Sequence, residues 1–146
     1  MKIRDVMTRD VRTIAPSDTI RHAAEVMAEI DAGVLPVAEN DRMIGMITDR
    51  DIAIRAVGAG KGPETQARDV MSPEVKYCFD DEDVDEVCEN MSDQQIRRLP
   101  VVNRDKRLVG IVSLSDLAKR ADSETAGEAL EAITRPGGLH TQAPAH

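Results

Sequence analysis

The chain has 146 residues, enough for one domain or two small halves sharing a core, and too few for a large multidomain enzyme. Hydrophobic residues make up 41% and charged ones 32%, which excludes a wholly disordered chain, while aromatics are only 1%, namely Tyr77 and Phe79. The core must therefore be aliphatic, and the stacking platforms of single-stranded nucleic-acid binders are missing. Acidic residues outnumber basic ones by 27 to 19, giving −8, the reverse of the basic footprint a nucleic-acid partner requires.

The N-terminal Met-Lys-Ile-Arg-Asp-Val-Met is charged where a signal peptide would be apolar, and no run is long enough to cross a membrane. A cytoplasmic location without membrane association is expected. In a reducing compartment Cys78 and Cys88 are expected as thiols packed in the core, with no third sulfur or suitably spaced His to complete a zinc set.

In chain order, a short strand is expected at 12–15. It is followed by an amphipathic helix carrying Ile20, Ala23, Ala24, Met27 and Ile30 on one face, capped by Ser17 or Asp18. Two β-rich runs follow, 34–38 and 43–48, joined by a polar turn at Asn40, and then a short helix over 49–57. Gly58-Ala59-Gly60-Lys61-Gly62-Pro63 breaks regular structure. The same series then returns: a strand at 75–79, a helix with Val84, Val87, Cys88 and Met91 on its apolar face, strands at 99–103 and 108–113, and a short helix over 115–120. The acidic Asp80 to Asp83 stands where the second central helix begins and favours its positive dipole end. Residues 122–146 have no counterpart; Ala129, Leu130, Ala132 and Ile133 suggest a helix stopped by Pro136, ahead of a mobile polar tail.

The recurrence is explicit in the residues. Arg4-Asp5-Val6-Met7 returns as Arg68-Asp69-Val70-Met71, and Leu35-Pro36-Val37 as Leu99-Pro100-Val101. Ile44-Gly45-Met46-Ile47-Thr48 through Asp51 returns as Val109-Gly110-Ile111-Val112-Ser113 through Asp116. Three matched blocks in fixed order make the chain a tandem duplication with α/β (α+β) repeats of order β-α-β-β-α. The expected division is repeat 1 over 1–60, a linker over 61–67, repeat 2 over 68–121, and the C-terminal helix and tail over 122–146.

The duplicated Asp-Val-Met start, the Leu-Pro-Val strand and the Gly-x-x-Thr/Ser-x-x-Asp close resemble a tandem pair of CBS domains, the module named after cystathionine β-synthase. The resemblance covers residues 1 to about 121. It is nearest in kind to small stand-alone bacterial CBS-pair proteins, some of which belong to hypoxic or stress responses. It implies two repeats about a pseudo-twofold axis, adenine-containing nucleotides (AMP, ADP, ATP, possibly NAD or S-adenosylmethionine) as regulatory ligands with no obligatory cofactor, a homodimer, and an unidentified protein partner that receives the signal.

A carboxylate suits a ribose diol because it can accept from two hydroxyls at once. Asp51 and Asp116 stand just behind Thr48 and Ser113 at a strand-to-helix turn, where hydroxyls and free N–H groups can face a ribose or phosphate. By resemblance, one site combines Thr13, Ile14, Ala15, Ala32 and Gly33 with Ser113 and Asp116. The other combines Tyr77, Cys78, Phe79, Ile96 and Arg97 with Thr48 and Asp51. Arg98 stands where nucleotide-sensing members carry a phosphate-contacting Arg, and the first repeat has Val34 there. Helix capping is the competing role for both Asp residues, and the acidic run 80–86 reads as a solvated helix start. His22 reads as a surface residue. No nucleophile-base-orienter set appears in the repeats, so a non-enzymatic module is expected. A ligand-free dimeric scaffold and a thiol-based redox sensor remain as alternatives.

Overall fold

The computed structural model describes residues 1–121 and 123–134. The elements are mixed helices and strands: α1 (Ile20–Ile30), β1 (Val34–Glu39), β2 (Arg42–Thr48), α2 (Asp49–Asp51), β3 (Cys78–Phe79), α3 (Val84–Gln94), β4 (Arg98–Val102), β5 (Leu108–Ser113), α4 (Leu114–Ala118) and α5 (Ser123–Thr134). The helical path begun at α2 continues through a wider π turn at Ile52–Ala56 and a tight turn at Val57–Ala59. Among the described residues no helix is long and apolar enough to cross a membrane.

The described residues form two compact units, one of Met1–Val11 with the described residues from Lys76 onward and one of Arg12–Val75. This division differs from the sequence repeats, because each unit takes its leading segment from the other repeat. Ile3 N donates to Glu82 O and Arg4 N to Asp80 O, Val84 N donates to Met1 O, and Thr8 bridges Ile111 on β5. In the other unit Ala67 N donates to Asp18 O, Arg68 N to Pro16 O, Ile20 N to Thr65 O, and Ser72 bridges Met46 on β2. Ile3 is wholly buried in one core, and Ala67 and Val70 are wholly buried in the other. The acidic loop before α3 is therefore a docking site for the first residues and not merely a solvated helix start.

The exchange explains the glycine of each Gly-x-x-Thr/Ser motif. A Cβ on Gly45 would lie 2.7 Å from Met71 Sδ and 2.8 Å from Ser72 O. One on Gly110 would lie 2.5 Å from Met7 Sδ and 3.0 Å from Thr8 O. The returning Met-Ser/Thr backbone crosses the strand so closely that a side chain has no room.

In the Arg12–Val75 unit β1 and β2 pair antiparallel from Val34↔Thr48 to Glu39↔Arg42. Asn40 and Asp41, at φ 54° and 64°, form the two-residue turn between them. The expected strand at 12–15 reduces to one parallel bridge, Ile14↔Val37. In the other unit β3 pairs parallel with β4, and β4 pairs antiparallel with β5. The strand expected over 75–79 spans only its last two residues, since Lys76 and Tyr77 before them are exposed and only Cys78 reaches the core.

α1 is capped by Thr19, whose hydroxyl accepts from His22 N, and not by Ser17 or Asp18; the Asp18 carboxylate accepts from Ala15 N instead. Its buried stripe is Ile20, Ala23, Val26 and Met27, while Ala24 and Ile30 face out. α3 starts on Asp83, the position equivalent to Thr19, and buries Val84, Val87, Cys88 and Met91 as the spacing predicts. Both helices stop at a left-handed residue, Asp31 and Gln95. α5 extends the expected C-terminal helix back to Ser123 and packs on α3 and α4, with Ala129 wholly buried. Pro136 and the tail expected to be mobile lie outside the described residues.

Candidate functional site

The two hydroxyl-carboxylate turns form alike in the two units. Thr48 Oγ1 accepts from Asp51 N at 3.0 Å, and Ser113 Oγ accepts from Asp116 N at 3.1 Å. Each turn is tied to the residue before its paired strand: Asp49 N donates to Gly33 O at 2.9 Å, and Leu114 N to Arg97 O at 2.7 Å. The ladders then set Val34 opposite Thr48 and Arg98 opposite Ser113.

The carboxylates differ in what they already hold. Asp51 Oδ2 accepts from Thr48 N at 3.0 Å, closing a reciprocal capping box, and its Oδ1 stands 3.8 Å from Arg55. Asp116 is exposed, and no reciprocal bond to Ser113 N forms. The capping role is thus realised in full at Asp51, whereas at Asp116 only the hydroxyl half of the box forms. Facing residues of an antiparallel ladder sit roughly 5 Å apart at Cβ, so Arg98 and Ser113 present a guanidinium and a hydroxyl at one end of the β4–β5 hairpin, with Asp116 one turn on. The first unit offers Thr48 and Asp51 there with a buried Val34 in place of Arg98, and the cation beside its carboxylate is Arg55 of the following turn.

The residues that the resemblance groups as base-lining also differ. Ile14 and Cys78 send their side chains into the two cores, at 2% and 3% exposure. The Ile14 main chain is engaged as well, its N–H donating to Pro36 O and its carbonyl accepting from Ala38 N. Thr13 is exposed, and Ala15, Ala32 and Gly33 are half-buried. Ile96 is buried, Arg97 exposed, and Tyr77 and Phe79 meet edge to face with centroids 5.6 Å apart. Arg104 lies 4.0 Å over the Phe79 ring while its guanidinium forks onto Asp81 at 2.8 and 2.7 Å. This cation fills one face of Phe79, and its hydrogen bonds hold the Asp81 carboxyl below the usual carboxylate range. Motif reasoning missed Arg104 because it lies in the turn where the second repeat carries an extra residue. That departure from the duplication is the signal that could have pointed to it.

Burial, reinforced by the charge of Glu82, pushes the Cys78 thiol up to about 12, so at neutral pH it is protonated and a poor nucleophile. Cys78 and Cys88 are buried thiols and not joined in a disulfide. His22 is exposed. Among the described residues no three His, Cys, Asp or Glu side chains are grouped to hold a metal ion.

Comparison with known proteins adds to this geometry. The family model described as "CBS domain" matches residues 3–58 and 67–123. The CBS domain-containing protein YhcV of Bacillus subtilis is 40% identical over 133 residues, spanning 90% of this chain and 94% of its own. Hypoxic response protein 1 of Mycobacterium tuberculosis is 35% identical over 138 residues, spanning 93% and 96%. A solved structure of hypoxic response protein 1, with two coordinated zinc ions, superposes with a TM-score of 0.72 at 36% identity, covering 82% of this chain and 98% of that one. The CBS domain pair of protein MJ0100, in complex with methylthioadenosine and S-adenosylmethionine, gives 0.70 at 27% identity, covering 82% and 94%.

Proposed function

Because the chain belongs to the CBS-domain family, we propose that it is a non-enzymatic sensor that binds adenine-containing nucleotides and passes the bound state to a protein partner. The observation that carries this reading is the duplicated hydroxyl-carboxylate turn, Thr48 with Asp51 and Ser113 with Asp116, formed in both units and anchored in each to the residue before the paired strand. The methylthioadenosine and S-adenosylmethionine bound by MJ0100 support the ligand class. Asp116 accepts a ribose diol and Arg98 a phosphate, while Asp51, already engaged, accepts a second ribose more weakly. A protonated, buried Cys78 weighs against thiol-based redox sensing.

The same reading includes a homodimer. Ile30, Ile54 and Val57 are exposed on the helical elements of the Arg12–Val75 unit, Ile54 by 52% and Val57 by 66%. The second repeat has Gln94 and Lys119 at the positions of Ile30 and Ile54, and there α5 covers the helices. A second copy of the chain covers the first repeat's aliphatic residues.

The function is tested by melting the protein with AMP, ADP, ATP, NAD and S-adenosylmethionine. A ligand that binds only the folded chain raises the melting temperature with concentration. No shift with any of the five at millimolar concentration leaves the ligand-free scaffold as the correct reading.

A further inference from the structure

The duplication breaks at two places that meet in space. The residue before the paired strand is Gly33 in the first repeat and Arg97 in the second, and only the second repeat is followed by a further helix, α5. Arg97 Nη2 donates to Ile133 O at 2.9 Å, in the last turn of α5. The neighbouring carbonyls of Leu130 and Glu131 accept from Thr134 Oγ1. Arg97 therefore supplies the positive charge that the C-terminal end of a helix favours. Its own carbonyl accepts from Leu114 N, directly behind Ser113, and its neighbour in the chain is Arg98. One residue thus touches both the turn that carries Ser113 and Asp116 and the helix that has no counterpart in the first repeat.

We infer that Arg97, grouped by resemblance with Thr48 and Asp51 but tied through Leu114 N to the Ser113–Asp116 turn, is a latch whose guanidinium holds α5 when the site at that turn is empty and transfers to the phosphate of a nucleotide bound there, releasing the last turn of α5. The chemistry favours the transfer. Arg97 is exposed and its present acceptor is a neutral carbonyl that takes one of its N–H groups, whereas a phosphate adds an opposite charge and can take two N–H groups of the guanidinium fork at once. The consequence reaches the core, because Ala129 and Ala132 of α5 are buried against the same unit and Ile133 packs beside them. Loosening α5 exposes apolar surface of α3 and α4, so occupancy of the site is converted into a change of surface that a partner can read. The first repeat has glycine in place of the latch and no helix to hold. The output of the sensor then comes from the second repeat alone.

The inference rests on the nucleotide reading, and hydrogen exchange of the α5 amides separates the two. Calorimetry first establishes that AMP binds the wild-type chain; absence of AMP binding overturns the latch, and absence of binding by all five ligands overturns the proposed function as well. With AMP bound, exchange in the last turn of α5 should rise about two- to tenfold, the effect of losing one hydrogen bond of ordinary net strength. Adenosine, which lacks the phosphate, and inorganic phosphate alone at the same concentration should leave it unchanged. In Arg97→Ala, an exposed change that leaves the core intact, exchange should already be raised without ligand and should not rise further with AMP. If AMP binds and α5 exchange is unaffected, or if inorganic phosphate alone reproduces the effect, Arg97 is only a cap on α5 and the latch is wrong.

Discussion

Replacing Gly45 with alanine tests the close crossing between β2 and the segment that docks from the second repeat. The added Cβ would stand 2.8 Å from Ser72 O and 2.7 Å from Met71 Sδ, so the segment must back away by roughly 0.6 Å to reach ordinary contact. That segment is held by two hydrogen bonds, Met46 N to Ser72 O at 2.9 Å and Ser72 N to Met46 O at 2.8 Å. The same retreat stretches both past useful length. Two lost bonds at about 1 kcal/mol each, with roughly 1 kcal/mol for repacking Met71 and a gain of about 0.5 kcal/mol from stiffening the unfolded chain, leave a loss of about 2 to 3 kcal/mol. Urea unfolding followed by circular dichroism reads this directly, and the melting temperature should fall by about 4 to 12 °C. Gly110→Ala should cost less, about 1 kcal/mol, because its closest neighbours are Met7 side-chain atoms that can move. Gly127→Ala, on α5 with nothing within 4 Å, should stabilise by up to about 1 kcal/mol. If Gly45→Ala unfolds within about 0.5 kcal/mol of wild type, below the usual cost of overpacking, the crossing is not as close as described.

Three further outcomes follow from the site and the core. Asp51→Ala should lower stability by about 0.5 to 2 kcal/mol through its lost capping box, whereas Asp116→Ala should leave the unliganded melt nearly unchanged and weaken nucleotide binding about ten- to hundredfold; equal melts for the two variants would contradict the difference between the turns. Arg98→Ala should weaken AMP while leaving adenosine nearly unchanged, as measured by calorimetry, and an equal loss for both would remove phosphate from its role. The folded Cys78 thiol titrates at about 12 against an ordinary 9.0, so above pH 9 the unfolded chain releases a proton that the folded chain keeps. Stability should therefore fall as pH rises from 9 toward 12, by up to about 1.4 kcal/mol per unit, and Cys78→Ala should lose that part of the slope in urea titrations.

Both central helices, both hairpins and the Thr/Ser-Asp turns were legible because each rests on local signals: a 3.6-residue stripe, alternating runs joined by Asn40 or Asn103, and a hydroxyl three residues before a carboxylate. The exchange of leading segments was not. Arg4 to Met7 and Arg68 to Met71 carry the same pattern, and nothing local says which sheet edge either will meet. The strand expected at 12–15 shrank to the Ile14 bridge because only Ile14 finds a place in the core. Thr19 took the cap from Ser17 and Asp18 because Asp18 was drawn back to Ala15 N. The motifs single out the candidate residues but not how the fold already engages each of them. Burial spends Ile14 and Cys78 on packing, capping spends Asp51, and Arg104 covers Phe79 through a turn that the duplication does not share.

The central claim is that the chain holds adenine nucleotides at its duplicated Thr/Ser-Asp turns, and equilibrium dialysis of labelled AMP against wild type and Asp116→Ala measures it most directly. Saturable uptake by the wild type, with the tighter equivalent missing from the variant while its melt is unchanged, is the expected result. No saturable uptake at millimolar AMP together with no melting shift for the other four ligands, or identical AMP uptake by both proteins, would contradict the account.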